Sequence, residues 1–483
     1  MTPDGLENPT LHVHPGDHLI VTITNNTPAT PIEMPAPPPT CGGSVMTHSS
    51  TNVHFHGTNT SPTCGEDEVV HTIINSGETF QYNLRFPLDE PPGIYWYHPH
   101  AHGLTEAALQ GGASGAIVVD GIQRFHPEVS GLRHRVLMIR DQNVAGNPTP
   151  GGKIPSWDLS LNFVPIAYPA EIPAILRMRS GDKEFWRVVN ASADSLLDLQ
   201  IVFDGVPQVV KIVGLDGVPV NSQGGQVSNG SSTSKLLDST HVLIPTAGRA
   251  EFIVSAPSAS VKVAEFVTRR VNTGPDGDND TRRVLASLQT NTADNALEND
   301  AVTPSQSEPD WQPRFQGLAT AAATNRRHLY FSENNPKSLF YITVEGEKRA
   351  LYNPANPPAI VTTQGSVEDW TIENRTLENH EFHLHQTHFL VLSQDNFALN
   401  GTEADCMVAG QYLDTIQVPY WDGNPDHPYP KVTVRVDFRG PDIGDFVYHC
   451  HIAEHEDAGM MAIIRVLPFP GNVTPNSAAS LSE

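Results

Sequence analysis

One short pattern occurs three times along the chain. The stretches VHPGDHLIVTITNNT (13–27), RMRSGDKEFWRVVNAS (177–192) and VTTQGSVEDWTIENRT (361–376) each carry a glycine, then a run dense in β-branched and aromatic residues. Each ends its run at an asparagine nine residues after the glycine: Gly16 with Asn25, Gly181 with Asn190, Gly365 with Asn374. Glycine suits a turn with positive φ, the run suits a strand, and asparagine suits the turn that follows. The glycines lie 165 and 184 residues apart, far beyond the roughly 20–50 residues of a solenoid repeat. The copies therefore mark three domains of similar design.

Strand endings recur as well, as GAIVVDG (115–121), AEFIVSAP (250–257) and MAIIRVLP (461–468). With 37 glycines, 41 prolines and few helical periodicities, the expected class is all-β, built as three Greek-key β-sandwiches. At 52.5 kDa the chain is too long for one core. Domain 1 is expected over 1–130, domain 2 over 131–290 and domain 3 over 325–483. The polar, proline-bearing stretch TNTADNALENDAVTPSQSEPDWQP places a linker or long surface connection at 291–324.

A formal charge of −25 argues against nucleic acid or an anionic membrane as partner. No apolar run approaches the roughly 20 residues that span a bilayer. The opening MTPDGLENPT lacks the basic start and apolar stretch of a signal peptide, which leaves a cytoplasmic protein or a mature form without its leader. Cysteines stand at 41, 64, 406 and 450. With Cys450 set aside, the other three form at most one intrachain disulfide, and proximity favours Cys41 with Cys64. Eight Asn-x-Ser/Thr triplets occur. Three begin at the repeat asparagines, where turn chemistry already accounts for them, so they carry no information on secretion.

The histidines fall on this frame in a symmetric way. Domain 1 holds NVHFHG (His54, His56) and YWYHPHAHG (His98, His100), and domain 3 holds HEFHLHQ (His380, His383, His385) and VYHCHIAEH (His449, His451, His455). Domain 2 has no such cluster. On a strand, residues two apart share a face at about 6.6–7 Å, so each His-x-His pair presents two imidazoles side by side. A single surface pair is usually incidental; four in matched positions on repeated domains are not. Eight imidazoles facing one cavity are enough for three metal ions with open positions, and imidazole suits copper, zinc, iron or nickel. His12, His14, His18, His71, His102 and His388 lack a partner in the pattern and suit surface or supporting roles.

Cys450 lies between His449 and His451 and so points to the opposite face. There it can meet His455, Met460 and the earlier His380. Two imidazoles, a thiolate and a distant thioether suit a trigonal blue-copper electron-transfer site. Zinc is the runner-up, but it usually draws two or more cysteines, and a merely buried cysteine would need no flanking histidines. One thiolate thus holds a metal on one face while its two sequence neighbours hold metals on the other. That wiring suits a multi-electron acceptor, and dioxygen is the obvious one.

In their order, HxHG, HxH, HxxHxH and HCHxxxHxxxGM resemble the motifs of the multicopper oxidases, specifically three-domain laccases with cupredoxin-like domains. The resemblance covers most of the chain. It implies four copper ions: type 1 at His380, Cys450, His455 and Met460; type 2 at His54 and His383; and a type 3 pair at His56, His98, His100, His385, His449 and His451. It also implies acidic groups that supply protons, matched by Asp67 and Glu456, and an extracytoplasmic home. Two departures stand out. HLHQTHF has Gln386 where many laccases carry a glycine, which is expected to change the local turn. The strand ahead of the first repeat is missing or very short.

The expected function is oxidation of phenols or aromatic amines, one electron at a time, with reduction of dioxygen to water. With methionine as the axial ligand, a low to middling type 1 potential is expected. A metallo-oxidase of ferrous, manganous or cuprous ions is the alternative, and only eight scattered methionines count against the cuprous case. Ascorbate or bilirubin oxidation stays open, because donor specificity lives in loops. A non-catalytic copper-binding relative would typically have lost ligands, and all twelve expected side chains are present.

Overall fold

The structure, a computed structural model, describes residues 8–30, 33–34, 41–42, 45–144, 148, 151–222, 235–291, 313–398 and 408–469. Its strands form three successive groups of sheets. The first contains a four-stranded sheet in the order Leu11–Val13, Gly115–Val119, Gly93–His98, His54–His56, and the pair His18–Thr24 with Thr79–Arg85. The second packs an eight-stranded sheet against a six-stranded one, and the third a six-stranded sheet against a five-stranded one. The all-β expectation holds. Among the described residues, no helix is long and apolar enough to cross a membrane.

The three repeated runs are strands His18–Thr24, Lys183–Asn190 and Val367–Asn374. Their glycines take φ of 89°, 83° and 95°, conformations that L side chains resist. The closing asparagines are buried and bind alike. Asn25 Nδ2 donates to Ser49 O and Ile74 O, Asn190 Nδ2 to Ser195 O and Pro245 O, and Asn374 Nδ2 to Glu378 O and Val418 O. Each Oδ1 accepts the backbone N–H two residues on, from Thr27, Ser192 and Thr376. Each triplet is thus an Asx turn whose side-chain amide ties its own stretch to a distant one (two distant ones for Asn25), and that amide is closed to a glycan.

Domains 2 and 3 share a further device. The indole of Trp186 donates to Glu184 and that of Trp370 to Glu368, and Arg135 and Arg327 grip the same two carboxylates. The first repeat, with Leu19 and Val21 in those places, lacks it. The recurrent strand endings need a correction. Gly115–Val119 and Met461–Leu467 do correspond, each pairing in parallel with the short strand ahead of its repeat. In domain 2 that position belongs to Arg283–Asn291, paired in parallel with Ala174–Arg179. AEFIVSAP instead pairs antiparallel with the repeat strand itself. Similar apolar composition misaligned strands whose pairing partners differ.

The strand ahead of the first repeat is present but short, at Leu11–Val13. Cys41 and Cys64 form a disulfide with Cα atoms 5.5 Å apart; Cys406 lies outside the described residues. So does most of the expected linker. Its last part, from 313, packs closely: Phe315 and Leu318 are buried with Val218, Val367 and Leu390, and Arg314 pairs with Asp89 and Asp442.

Candidate metal centre

Strand pairing brings the histidine motifs together. His54 lies opposite His98 in the first domain, and His383 lies opposite His449 in the third. The two pairings are equivalent, and the two domains face each other. His54 stacks on His385 with ring centroids 3.9 Å apart, and His56 on His383 at 4.0 Å.

The eight imidazoles are buried and sort into sets whose ligand atoms lie within 4.8 Å of one another. His56, His98 and His451 form one, His100, His385 and His449 a second, and His54 and His383 join His56 in a third. Strand geometry sets the rear nitrogens. Nδ1 of His98, His383 and His449 donates to the carbonyls of Pro99, Asp414 and Cys450 at 2.9 Å each. His54 Nδ1 lies 3.0 Å from Asp67 Oδ1. His56 is turned the other way, with Nε2 3.2 Å from Asp414 Oδ1.

The donor set fits metal ions. Nε2 of His54, His98 and His383, Nδ1 of His56 and both nitrogens of His451 are buried with no hydrogen-bond partner. Nε2 of His449 faces Nε2 of His100 at 3.2 Å and Nε2 of His385 at 3.1 Å. Buried unpaired nitrogens are costly, and a cation is the partner that satisfies several at once. Burial, then neighbouring charges, pulls the pKa of His54, His56 and His383 well below that of a free imidazole. The rings are therefore neutral, as metal ligation requires.

On the other face of the same strand, Cys450 Sγ lies 3.7 Å from Nδ1 of both His380 and His455, which are 3.0 Å apart. The thiol is buried, and burial, with Glu381 next, pushes its pKa well up. A metal would remove that proton. Met460 is fully buried; its N–H donates to His455 O, and its carbonyl accepts from Cys450 N–H. Phe340 stacks on His455 at 4.1 Å. Beside His455 opens a cavity of about 390 Å³ lined by Phe340, Asp194, Asp276, Asp278, Glu378 and Glu454.

Both acidic candidates touch ligand rings. Asp67 accepts from Phe55 N–H at 2.9 Å and from Gln386 Nε2 at 2.8 Å, besides His54. Glu456 lies 3.3 Å from His449 Nδ1 and 3.6 Å from His100 Nδ1, and accepts from Thr105 Oγ1. Burial above all raises the pKa of both carboxyls well above the usual range. Gln386, where the resemblance places a glycine, takes a left-handed φ of 60°, and its side chain donates to Asp67 Oδ2.

The unmatched histidines stay outside the sets. His12, His14 and His18 are exposed, His71 pairs with Glu68, and His102 meets the Tyr352 ring. His388 is buried, bonded to Asp216 O and 3.5 Å from Asp414. Sequence reasoning missed Asp414, Arg249 and Glu381, which touch the centre from behind. Asp414 and Arg249 sit in no motif, whereas Glu381 lies inside HEFHLHQ between two ligand histidines, and its N–H donates to Cys450 Sγ at 3.3 Å.

Known proteins resemble this chain. Two family profiles, each described as multicopper oxidase, match residues 45–123 and 323–469. Multicopper oxidase LPR1 homolog 1 of Oryza sativa subsp. japonica is 23% identical over 95% of this chain and 82% of its own. A laccase of Bacillus subtilis (strain 168) is 24% identical over 94% and 87%. A solved multicopper oxidase of Campylobacter jejuni, described as a metallo-oxidase, superposes with a TM-score of 0.64 at 21% identity, over 95% of this chain and 85% of the other. The shared fold is that of cupredoxin-like domains.

Proposed function

The chain belongs to the multicopper oxidase family, and on that premise we propose that it binds four copper ions and couples oxidation of a small donor to reduction of dioxygen to water. The observation that carries this is the set of buried, partnerless imidazole nitrogens shared between the first and third groups of sheets. His380, Cys450 and His455, with Met460 behind them, would hold the type 1 copper. His54 and His383 would hold type 2. His56, His98 and His451 would hold one type 3 ion, and His100, His385 and His449 the other. We take the domains as 1–130, 131–290 and 325–483.

When bound, these ions supply one-electron acceptance at the type 1 site and four-electron reduction of dioxygen at the trinuclear site. The protein's own part is wiring and proton supply. Cys450 is joined through the backbone to His449 and His451, which gives a short covalent path between the two faces of one strand. Asp67 and Glu456 hold protons at carboxylates in contact with ligand rings. His455, 4% exposed, is the port for donors, and Phe340 offers a donor ring an aromatic face beside it.

The laccase-like reading takes phenols or aromatic amines at this port. The second reading, oxidation of ferrous, manganous or cuprous ions, is favoured by the acidic lining of the cavity. Burial above all pushes the pKa of Asp194 and Glu378 up, which leaves the field of Asp276, Asp278 and Glu454 to attract cations and repel anions. The same field disfavours ascorbate and bilirubin. Oxygen uptake by the copper-loaded protein separates these cases when compared across a dimethoxyphenol, an aromatic diamine, ascorbate, bilirubin, and ferrous and cuprous salts. Asp276→Asn and Asp278→Asn should weaken metal-ion turnover selectively if the second reading is right and leave the phenol rate unchanged if the first is. Failure to take up oxygen with every donor overturns both.

A further inference from the structure

The middle group of sheets supplies no side chain to the ligand sets, yet one of its residues reaches their rear. Arg249, on the strand Arg249–Ser255, is fully buried. All five of its guanidinium N–H groups are used. Nε donates to Ile94 O at 3.4 Å, in the first domain. Nη1 donates to Ala247 O at 3.2 Å and Asp414 Oδ1 at 2.7 Å, and Nη2 to Asp216 O at 2.9 Å and Asp414 Oδ2 at 2.5 Å. One planar fork therefore ties all three domains and grips Asp414 with two bonds.

Asp414 is what orients the ligands. A carboxylate has no proton to give, so His56 carries its proton on Nε2, toward Asp414, and leaves Nδ1 bare. The carbonyl of Asp414 fixes His383 the opposite way, with Nδ1 protonated and Nε2 bare. His54, His98 and His383 turn Nε2 inward; His56 alone among these four turns Nδ1. Its orientation cannot come from strand geometry and rests on where Asp414 stands. The middle domain also holds the Asp414 backbone, since Asp216 Oδ2 accepts N–H bonds from Asp414 and Thr415 at 3.2 Å each.

The glycine of HxHG shows how tightly this is built. Gly57 has φ +82°, and a Cβ there would lie 2.3 Å from Arg249 Nη2 and 2.6 Å from Asp414 Oδ2. The clamp occupies the space that any side chain after His56 would need. The turn that delivers Arg249 is itself pinned by a repeat asparagine: Asn190 bonds Pro245 O through its side chain and Ala247 N–H through its carbonyl.

We infer that Arg249 is a positioning residue for the trinuclear site: through Asp414 it fixes the ring tautomer and orientation of His56 and His383, so the ligand-free domain sets copper affinity there. The inference rests on the four-copper reading. Partners of ligands are worth about 10–100-fold in metal affinity, and that is the loss expected.

The test uses the full copper-loaded chain. Arg249→Lys keeps the charge and loses the fork. On dialysis against graded chelator it should release copper at about 10–100-fold lower chelator strength, with loss of the type 2 electron paramagnetic resonance signal, while the blue absorption of the Cys450 site persists. Arg187→Lys is the control, because Arg187 pairs with Glu251 at 2.8 Å, equally buried in the same domain but away from the ligands; it should keep all four ions. If Arg249→Lys does not fold, Gly57→Ala displaces the clamp without deleting it and should show the same selective loss. Retention of trinuclear copper at wild-type chelator strength, or equal loss in Arg187→Lys, or loss of the blue absorption along with the rest, overturns the positioning role. Wild-type protein that takes up no copper overturns the four-copper reading instead, which keeps the two failures distinct.

Discussion

Asn374→Ala tests whether the repeated pattern holds the fold or merely accompanies it. Nδ2 of Asn374 donates to the carbonyls of Glu378, Val418 and Pro419 at 2.8, 3.0 and 3.0 Å. Its Oδ1 accepts from Thr376 N–H at 2.9 Å and Thr376 Oγ1 at 2.8 Å. Two amide hydrogens shared among three carbonyls count as two bonds, and the two accepted bonds make four. At about 1 kcal/mol each, truncation costs about 4 kcal/mol. Thr376 Oγ1 can turn to Glu378 O instead, which returns part of this and leaves about 3 kcal/mol. For a domain of this size about 2–4 °C of Tm follows each kcal/mol, so the third-domain transition should fall by about 6–12 °C. Calorimetry on copper-free protein is the appropriate assay, because a bound metal would shift Tm by mass action. Asn25→Ala, with two donated and two accepted bonds, should lower the first-domain transition by a similar amount. A fall below about 2 °C in either variant would mean that water replaces these bonds freely, and the argument from the repeat to the fold would fail.

Other expectations follow from single contacts. Asp67→Asn should slow reoxidation of the reduced protein by dioxygen and leave the blue absorption intact; unchanged reoxidation removes Asp67 from proton supply. Met460→Leu should raise the type 1 potential, read by redox titration, and no rise would refute the axial assignment. Gln386→Gly relieves about 1–2 kcal/mol of left-handed strain but leaves the buried Asp67 acceptor unpaired, at about 1–3 kcal/mol, and adds about 0.5–1 kcal/mol of chain entropy. The net should be a loss of about 1 kcal/mol, and a rise in Tm would show the Asp67 contact to be weaker than the strain. Cys41→Ser with Cys64→Ser opens a loop with sequence separation 23 and should cost about 3 kcal/mol by the loop-entropy relation, measured by denaturant titration.

What the sequence made legible was whatever depends on neighbours in the chain. Alternation on a strand places His449 and His451 on one face and Cys450 on the other, so a two-sided centre could be read from five residues. The turn residues Gly16, Gly181 and Gly365 act within their own peptide units, and the asparagines act first on the residue two ahead. Pairing partners are different, because they depend on which strand arrives alongside. AEFIVSAP and MAIIRVLP are equally apolar, yet one lies against its repeat strand and the other against the strand ahead of it. Gln386 shows the same limit at a single residue: the missing glycine marks the turn in the sequence, but the partner of its side chain, Asp67, lies 319 positions away.

Arg249 is the extreme case. Its five bonds have meaning only where Ile94, Asp216 and Asp414 converge, and no local pattern distinguishes it from any other arginine at a strand start. Gly57 was visible as the glycine of HxHG, but its reason, the guanidinium packed over it, was not. A domain without ligands looks dispensable in a motif search. In the folded chain it supplies a buried guanidinium that grips Asp414 beside His56 and His383, so on our inference function at this site belongs to the junction of three domains and not to the motifs of two.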